Sequence, residues 1–235
     1  AIGPSFMIKP KNPKITSVGT FSVFPSSNLI VIDFKSFSLS KDTIWHGVLI
    51  DNFKLVDGHT YRGLANDFIG SKRVEAKQCW IDFFQYHTSQ EFYNEVLTIF
   101  NETRWIKDEK VKVRHTEGDA KIVTDTQFVI HQPTTGTTRS THIDNPLEIY
   151  AGLLYMRQRG DNAKGGDFVI YDAPEINKVV AKTGREIPKD IEKKEHKKIT
   201  YKENTFVMFL NTNKSVHGVT PRENALHDRL SINII

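Results

Sequence analysis

Apolar and polar positions follow two different rhythms along this chain, and the change falls near residue 110. Before it, the clearest signal is helical. Phe92, Val96, Leu97, Phe100 and Ile106 recur mostly at three- and four-residue steps, which predicts an amphipathic helix over about Ser89–Trp105. Thr88 followed by Glu91 has the spacing of a capping box at its start. Trp80–Tyr86 predicts a separate helix before it. Further upstream, Phe21–Phe24 and Leu29–Phe34 read as brief strands, the second carrying the β-favouring Val31 and Ile32. Thr43–Leu55 reads as a short helix, capped by Asp42 or Thr43, with Trp45, Val48, Leu49 and Phe53 on one side. Residues 57–73, punctuated by Gly58, Gly63 and Gly70, read as a loop.

After residue 110 short strands take over: Lys121–Gln132, Glu148–Met156, Asp167–Tyr171, Lys198–Tyr201, Thr205–Leu210, Val216–Val219 and Arg229–Ile235. Turn signals separate them, among them Pro133 to Gly136, Asn145-Pro146, Gly165-Gly166 and Pro221. Glu186–Lys198 is dense in charge and reads as a solvated helix or loop, with a flap over a site as the alternative. The pattern predicts a mostly β protein, a barrel or sandwich with helices packed outside it.

Composition narrows this picture. With 38% hydrophobic and 26% charged residues, 235 residues suffice for one sizeable core. Residues 1–6 read as a cloning remnant before Met7, and 7–235 as a single domain. Within it, 7–110 supply N-terminal strands and supporting helices, and 111–235 the β core. Only one cysteine is present, Cys79, expected to be packed beside Trp80; a thiolate metal cage is therefore excluded. The net charge of +4 is small for this length and argues no nucleic-acid partner, and no apolar run reaches the roughly 20 residues of a membrane span. A reducing cytoplasm is the expected compartment.

Candidate chemistry lies in Thr141-His142-Ile143-Asp144. Residues two apart on a strand share a face, so His142 and Asp144 aim together while Ile143 faces away. Alone, the pair is weak, because a chain with nine histidines throws up such spacings and His142 reads as well as a surface or core histidine. His217, within Ser215-Val216-His217-Gly218-Val219, offers a third ligand. Two histidines and a carboxylate on a β scaffold make the facial triad that leaves positions open on Fe(II). On the last strand, Arg229 and Ser231 share one face while Leu230, Ile232 and Ile234 take the other. An inward guanidinium and hydroxyl suit a bound carboxylate; the alternative is an Arg229 paired with Asp228 or Glu223.

His142-Ile143-Asp144, then Gly165-Gly166-Asp167-Phe168, then His217, then Arg229-Leu230-Ser231 stand in an order and approximate spacing that resemble the 2-oxoglutarate/Fe(II)-dependent oxygenase superfamily, and within it the prolyl-hydroxylase-like group. The resemblance covers roughly Lys121–Ile235. It implies a double-stranded β-helix, or jelly-roll. It implies Fe(II) on His142, Asp144 and His217, and O2 and 2-oxoglutarate at the same metal, with ascorbate as a candidate reductant. The distal carboxylate of 2-oxoglutarate is expected on Arg229, Ser231 and a tyrosine, Tyr155 ahead of Tyr150. Arg222 competes with Arg229, because His217 to Arg229 is long for the family. The implied reaction decarboxylates 2-oxoglutarate to succinate and CO2 and hydroxylates an unactivated C–H bond of a polar small molecule or peptidyl residue. Asp144 favours hydroxylation over halogenation. Gln127, His131, Arg139, Asn145, Tyr150 and Arg157 are the substrate-facing candidates. The rival readings are a non-catalytic jelly-roll that binds or senses a small ligand, and a metal-dependent hydrolase or isomerase on a cupin-like barrel.

Overall fold

A computed structural model describes residues 7–8, 17–24, 29–34 and 54–57 as backbone, and residues 60–70, 76, 78–102, 123–133, 139–145, 148–173, 186–188, 190–211 and 214–235. Twelve strands are present among them: β1 (Met7–Ile8), β2 (Ser17–Phe24), β3 (Leu29–Phe34), β4 (Lys54–Asp57), β5 (Thr60–Leu64), β6 (Thr126–His131), β7 (Tyr150–Tyr155), β8 (Phe168–Asp172), β9 (Lys194–Ile199), β10 (Thr205–Leu210), β11 (His217–Val219) and β12 (Arg229–Ile234). Two helices, α1 (Gln78–His87) and α2 (Gln90–Glu102), and a π-helical turn at Asn66–Gly70 lie between β5 and β6.

The strands form a six-stranded antiparallel sheet in the order β10-β7-β12-β6-β5-β4 and a smaller one in the order β11-β8-β9, while β1–β3 make a separate antiparallel meander. The smaller sheet has one more rung. His142 and His217 exchange both backbone hydrogen bonds, and Val219 N–H donates to Arg139 C=O, so residues 139–142 run beside β11 as a strand in all but length. From β6 onward the chain alternates between the sheets: β6 large, 139–142 small, β7 large, β8 and β9 small, β10 large, β11 small, β12 large. This is the double-stranded β-helix.

Strand periodicity divides the large sheet into two faces. Tyr150, Leu154, Phe206, Met208, Leu210, Leu230, Ile232, Ile234, Phe128 and Ile130 face the helices and form one buried cluster with Phe68, Trp80, Phe83, Phe84, Val96 and Phe100. Ala151, Tyr155, Val207 and Phe209 point the other way, into a second cluster with Phe168, Ile170, Ile199 and Tyr201 from the smaller sheet and the segment after it. Trp80, Phe83, Phe84 and His87 recur at i, i+3, i+4 and i+7, which is why α1 buries that stripe.

Several expectations are corrected. The region 57–73 is not a loop: β5 and the π turn occupy most of it, because Gly63 sits inside a pleated strand paired with Phe128. The helix expected over Thr43–Leu55 lies outside the described residues up to 53, and Lys54 and Leu55 belong to β4. Cys79 is exposed, since it falls off the buried stripe that Trp80 begins. The cap of α2 is Ser89, whose Oγ accepts from Phe92 N–H at 3.2 Å; Thr88 Oγ1 instead donates back to Phe84 C=O at 2.8 Å. The charge-dense stretch ends in β9, an edge strand where Lys194, Glu195, Lys197 and Lys198 are exposed.

Candidate active site

Antiparallel pairing brings the first two chemical groups together. In a hydrogen-bonded pair the two residues stand directly opposite, and His142 N–H to His217 C=O (2.8 Å) and His217 N–H to His142 C=O (2.9 Å) make this one. The rings lie 4.3 Å apart. Close approach of 139–142 to β11 depends on Gly218, where a Cβ would stand 3.3 Å from Ser140 C=O and from Thr141 Cα. Ile143 turns outward onto Ile187 and Val216, so Asp144 returns to the histidine side. Its Oδ1 is 3.3 Å from His142 Nε2 and its Oδ2 is 3.5 Å from His217 Nε2. Ligand atoms of all three residues lie within 4.8 Å of one another.

Hydrogen bonds behind the rings set their tautomers. His142 Nδ1 donates to Ser140 C=O at 2.7 Å and His217 Nδ1 to Ser215 C=O at 2.8 Å. A carbonyl oxygen can only accept, so each Nδ1 carries a proton and each Nε2 turns its lone pair, or a second proton, toward Asp144. Two imidazole lone pairs facing a carboxylate repel unless a cation or protons lie between them. Carbonyl oxygens that accept from Nδ1 are how metal-binding histidines are usually oriented. The electrostatics agree. Burial works to raise the Asp144 carboxyl, but the charge on His217 and hydrogen bonds to both histidines hold it well below the usual carboxylate range. Burial lowers His142, whereas for His217 the pull of Asp144 outweighs burial and raises it. Phe168 and Phe209 pack on His217, with ring centroids at 5.2 and 4.6 Å, and keep that side dry. The donor set of two nitrogens and one carboxylate oxygen therefore fits a divalent cation with positions left open, Fe(II) included.

A second polar group sits deeper, on the inner face of the large sheet. Arg229 and Ser231 do point inward while Leu230, Ile232 and Ile234 join the helix-side cluster. Ser231 lies opposite Tyr155 on β7. The Arg229 guanidinium rests 4.9 Å from the ring centroids of both Tyr155 and Tyr201, and its Nε donates to Gly166 C=O at 3.2 Å. That contact explains the Gly-Gly motif. Gly165 and Gly166 have φ of +75° and +78°, and a Cβ on Gly165 would stand 1.9 Å from Pro221 C=O. Neither Arg229 Nη2 nor Tyr155 Oη, both buried, has a hydrogen-bond partner among the described residues. A buried guanidinium edge and phenol left unsatisfied side by side are costly without an anion. Burial pushes the Tyr155 phenol up to about 12 against the opposing pull of Arg229, so it stays a donor. A carboxylate answers both groups.

The other candidates separate on geometry. Arg222, the competitor to Arg229, is bound to Asp161 at 2.9 Å and to His227 C=O at 2.9 Å. Tyr150 faces the helices beside Tyr93. Arg157 is engaged with Tyr201 C=O, Asp161 C=O and Ala163 C=O and supports the fold. Asn145 C=O accepts from Asn211 Nδ2 at 2.6 Å. Gln127 and His131 are on the inner face of β6, and Arg139 Nε lies 3.3 Å from His142 Nε2 while its Nη2 pairs with Glu186 at 3.1 Å. Arg62 on β5 is not among the sequence candidates, because its segment reads as a loop; the apolar Tyr61 and Leu64 are three apart and fall on opposite faces, so no strand periodicity marks it.

The jelly-roll with this inward set of groups defines a class that comparison with known proteins also reaches. Residues 126–235 match the model of the 2OG-Fe(II) oxygenase superfamily. That model describes oxygenases that use Fe(II) and 2-oxoglutarate, and the three clustered residues His142, Asp144 and His217 lie within the matched region. No curated protein matches the chain. Among solved structures it is similar to a Pseudomonas putida prolyl-4-hydroxylase at 13% identity, with a TM-score of 0.38, covering 78% of this chain and 76% of that one. It is similar also to a bsmA homolog from Methylobium petroleophilum PM1 (14%, TM-score 0.28, 47% of this chain) and spans 39% of that protein. IDO from Bacillus thuringiensis is a third (14%, TM-score 0.30, 60% of this chain and 54% of that one). Among the described residues no helix is long and apolar enough to cross a membrane.

Proposed function

We propose that this protein is an Fe(II)- and 2-oxoglutarate-dependent dioxygenase of the prolyl-hydroxylase-like kind that hydroxylates an unactivated C–H bond of a polar small molecule or peptidyl residue. The observation that carries the reading is the pairing of two incomplete sites. One is the triad of His142, Asp144 and His217, whose Nε2 and carboxylate atoms converge. The other is the buried Arg229 Nη2 and Tyr155 Oη pair that lacks a partner. A metal alone would answer the first and leave the second; 2-oxoglutarate has one end for each.

In this reading each residue has a limited task. His142, Asp144 and His217 would hold Fe(II), which when bound would supply the oxidative chemistry by which 2-oxoglutarate, O2 and the C–H group of a substrate give succinate, CO2 and the hydroxylated substrate. Ser140 C=O and Ser215 C=O keep both Nε2 lone pairs aimed at the metal position. Arg229 and the neutral Tyr155 phenol bind the distal carboxylate, with Ser231 beside them, and so orient the cosubstrate along the barrel. Phe168 and Phe209 exclude water from the His217 side. Ferrous iron is kept most easily in a reducing compartment, and we place the work in the cytoplasm. The test is succinate formation with Fe(II), ascorbate and 2-oxoglutarate across a substrate panel. Succinate that depends on a co-added substrate supports the reading. No succinate with any substrate, together with no binding of 2-oxoglutarate, contradicts it; tight binding without turnover would favour a sensing barrel.

A further inference from the structure

We propose that Tyr201 is a positioning residue that aims the Arg229 guanidinium at the distal carboxylate of 2-oxoglutarate. This rests on the functional reading above and deepens it at the same site. Tyr201 stands two residues beyond Ile199, where β9 ends. Ile199, Tyr201 and Tyr155 share one buried cluster, while Thr200 between the first two is exposed. Side chains hold the Tyr201 backbone on both sides. Asp167 Oδ1 accepts from Tyr201 N–H at 2.8 Å, and Arg157 Nη1 donates to Tyr201 C=O at 3.1 Å. Asp167 is itself tied down, its N–H donating to Thr220 Oγ1 at 3.0 Å. The ring is fully buried and projects from this fixed point. Arg157 and Arg222, both paired with Asp161, lie 5.5 and 5.8 Å from its centroid and wedge it in place.

Hydroxyl and ring act on adjacent residues of β12. Leu230 follows Arg229, and just past the end of β7 its C=O still accepts from Met156 N–H at 3.1 Å. Its N–H needs another acceptor, and Tyr201 Oη supplies one at 2.9 Å while donating to Leu230 C=O at 3.3 Å. The hydroxyl therefore completes the ladder where β7 runs out and fixes the backbone beside Arg229. The ring then meets the side chain. The Arg229 guanidinium lies 4.9 Å from the Tyr201 centroid and 4.9 Å from that of Tyr155. The two rings cross at 76° with centroids 5.3 Å apart, so they form a corner, and Gly166 C=O takes the Nε edge. A guanidinium held by two ring faces and a carbonyl cannot turn without giving up a contact. Cation–π attraction is strongest where water is excluded, as it is here. Held so, the buried Nη2 is left for a carboxylate to answer.

The experiment compares 2-oxoglutarate with pyruvate, a 2-oxo acid that lacks the distal carboxylate, in Mn(II)-loaded protein without oxygen. Affinities are read from water proton relaxation at the metal in wild type, Tyr201→Leu, Tyr201→Met and Tyr201→Phe, and in Arg229→Ala with and without Tyr201→Leu. Tyr201→Leu should weaken 2-oxoglutarate by about tenfold or more and leave pyruvate within about twofold, because only the distal carboxylate depends on Arg229. Tyr201→Met should do the same. Tyr201→Phe keeps the ring and should stay within about threefold of wild type for both acids. In Arg229→Ala the added Tyr201→Leu change should cost nothing further, since Tyr201 acts through Arg229. Unchanged 2-oxoglutarate affinity in the variants without the ring, equal losses for the two acids, or a full further loss on top of Arg229→Ala would overturn the proposal. So would a Tyr201→Phe variant as weak as Tyr201→Leu. Failure of both Tyr201→Leu and Tyr201→Met to fold would overturn it too, by making the ring a requirement of the fold. A wild type that binds 2-oxoglutarate no more tightly than pyruvate would instead strike the underlying functional reading.

Discussion

The two faces of the large sheet are made by alternate residues of the same strands, yet they do opposite things. On β12, Leu230, Ile232 and Ile234 enter the helix-side cluster, while Arg229 and Ser231, one residue out of phase, face the barrel interior. On β7, Leu154 packs under the helices and Tyr155 stands beside Arg229. The helix face is apolar throughout its centre, so its burial can stabilise the fold. The inner face carries buried polar groups that cost stability. The scaffold is held from one side so that the other can carry groups that a well-satisfied core would not contain.

That contrast can be broken from either face. The largest effect is expected at the triad. Asp144→Ala should weaken binding of Mn(II) by about a thousandfold or more, since it removes the only anionic ligand and leaves two neutral imidazoles. Its melting temperature without metal should fall at neutral pH, because the folded protein holds the Asp144 carboxyl below its usual range and so gains stability from the charged form. Metal titration followed by calorimetry checks the first part, and a melt in chelator the second.

On the helix face the balance shifts to stability. Phe128 is fully buried and meets Phe68, Trp80 and Phe84 edge-on, with centroids 5.3, 4.9 and 5.0 Å away. Phe128→Ala should cost about 3–5 kcal/mol in denaturant unfolding. The metal affinity of the molecules that remain folded should be unchanged. A variant that lost metal binding in proportion to stability would show that the faces are not separable.

A smaller, pH-dependent effect belongs to His87. Burial among Phe83, Tyr86 and Phe92 lowers its pKa from 6.5 to about 4, against the hydrogen bond its Nδ1 makes to Phe83 C=O. Between these values the unfolded chain binds the proton and the folded one does not. The stability from a neutral His87 is therefore complete above about pH 6.5 and is lost as the pH falls toward 4, by at most about 3 kcal/mol. Unfolding free energy of His87→Leu against wild type, measured across that window, should show a difference that grows in the variant's favour as pH drops. A difference that does not change with pH would remove His87 as the cause.

Much of this was legible in the sequence, for identifiable reasons. Thr205–Leu210 is found with the bounds expected, because an apolar run between turn signals, buried along its whole length, admits little else. His142, Asp144 and His217 converge because period-two facing is a geometric rule. Arg229 and Ser231 face inward for the same reason. What escaped was set by partners that local sequence does not contain. Gly63 looks like a loop residue until Phe128 pairs with it. β9 looks like a solvated segment because an edge strand can expose both its charge and its backbone. Arg222 and Arg229 could be separated only once Asp161, distant in sequence, was seen to take the first.

The most direct test of the central claim is calorimetric titration of 2-oxoglutarate into the Mn(II)-loaded protein without oxygen, in wild type and in Arg229→Ala. The account predicts one site in the wild type, dependent on metal, and a Kd weakened by about 30-fold to 1000-fold in the variant, the cost of stripping a buried charge-assisted pair. Binding that ignores the metal, or an Arg229→Ala variant that binds as the wild type does, would contradict it.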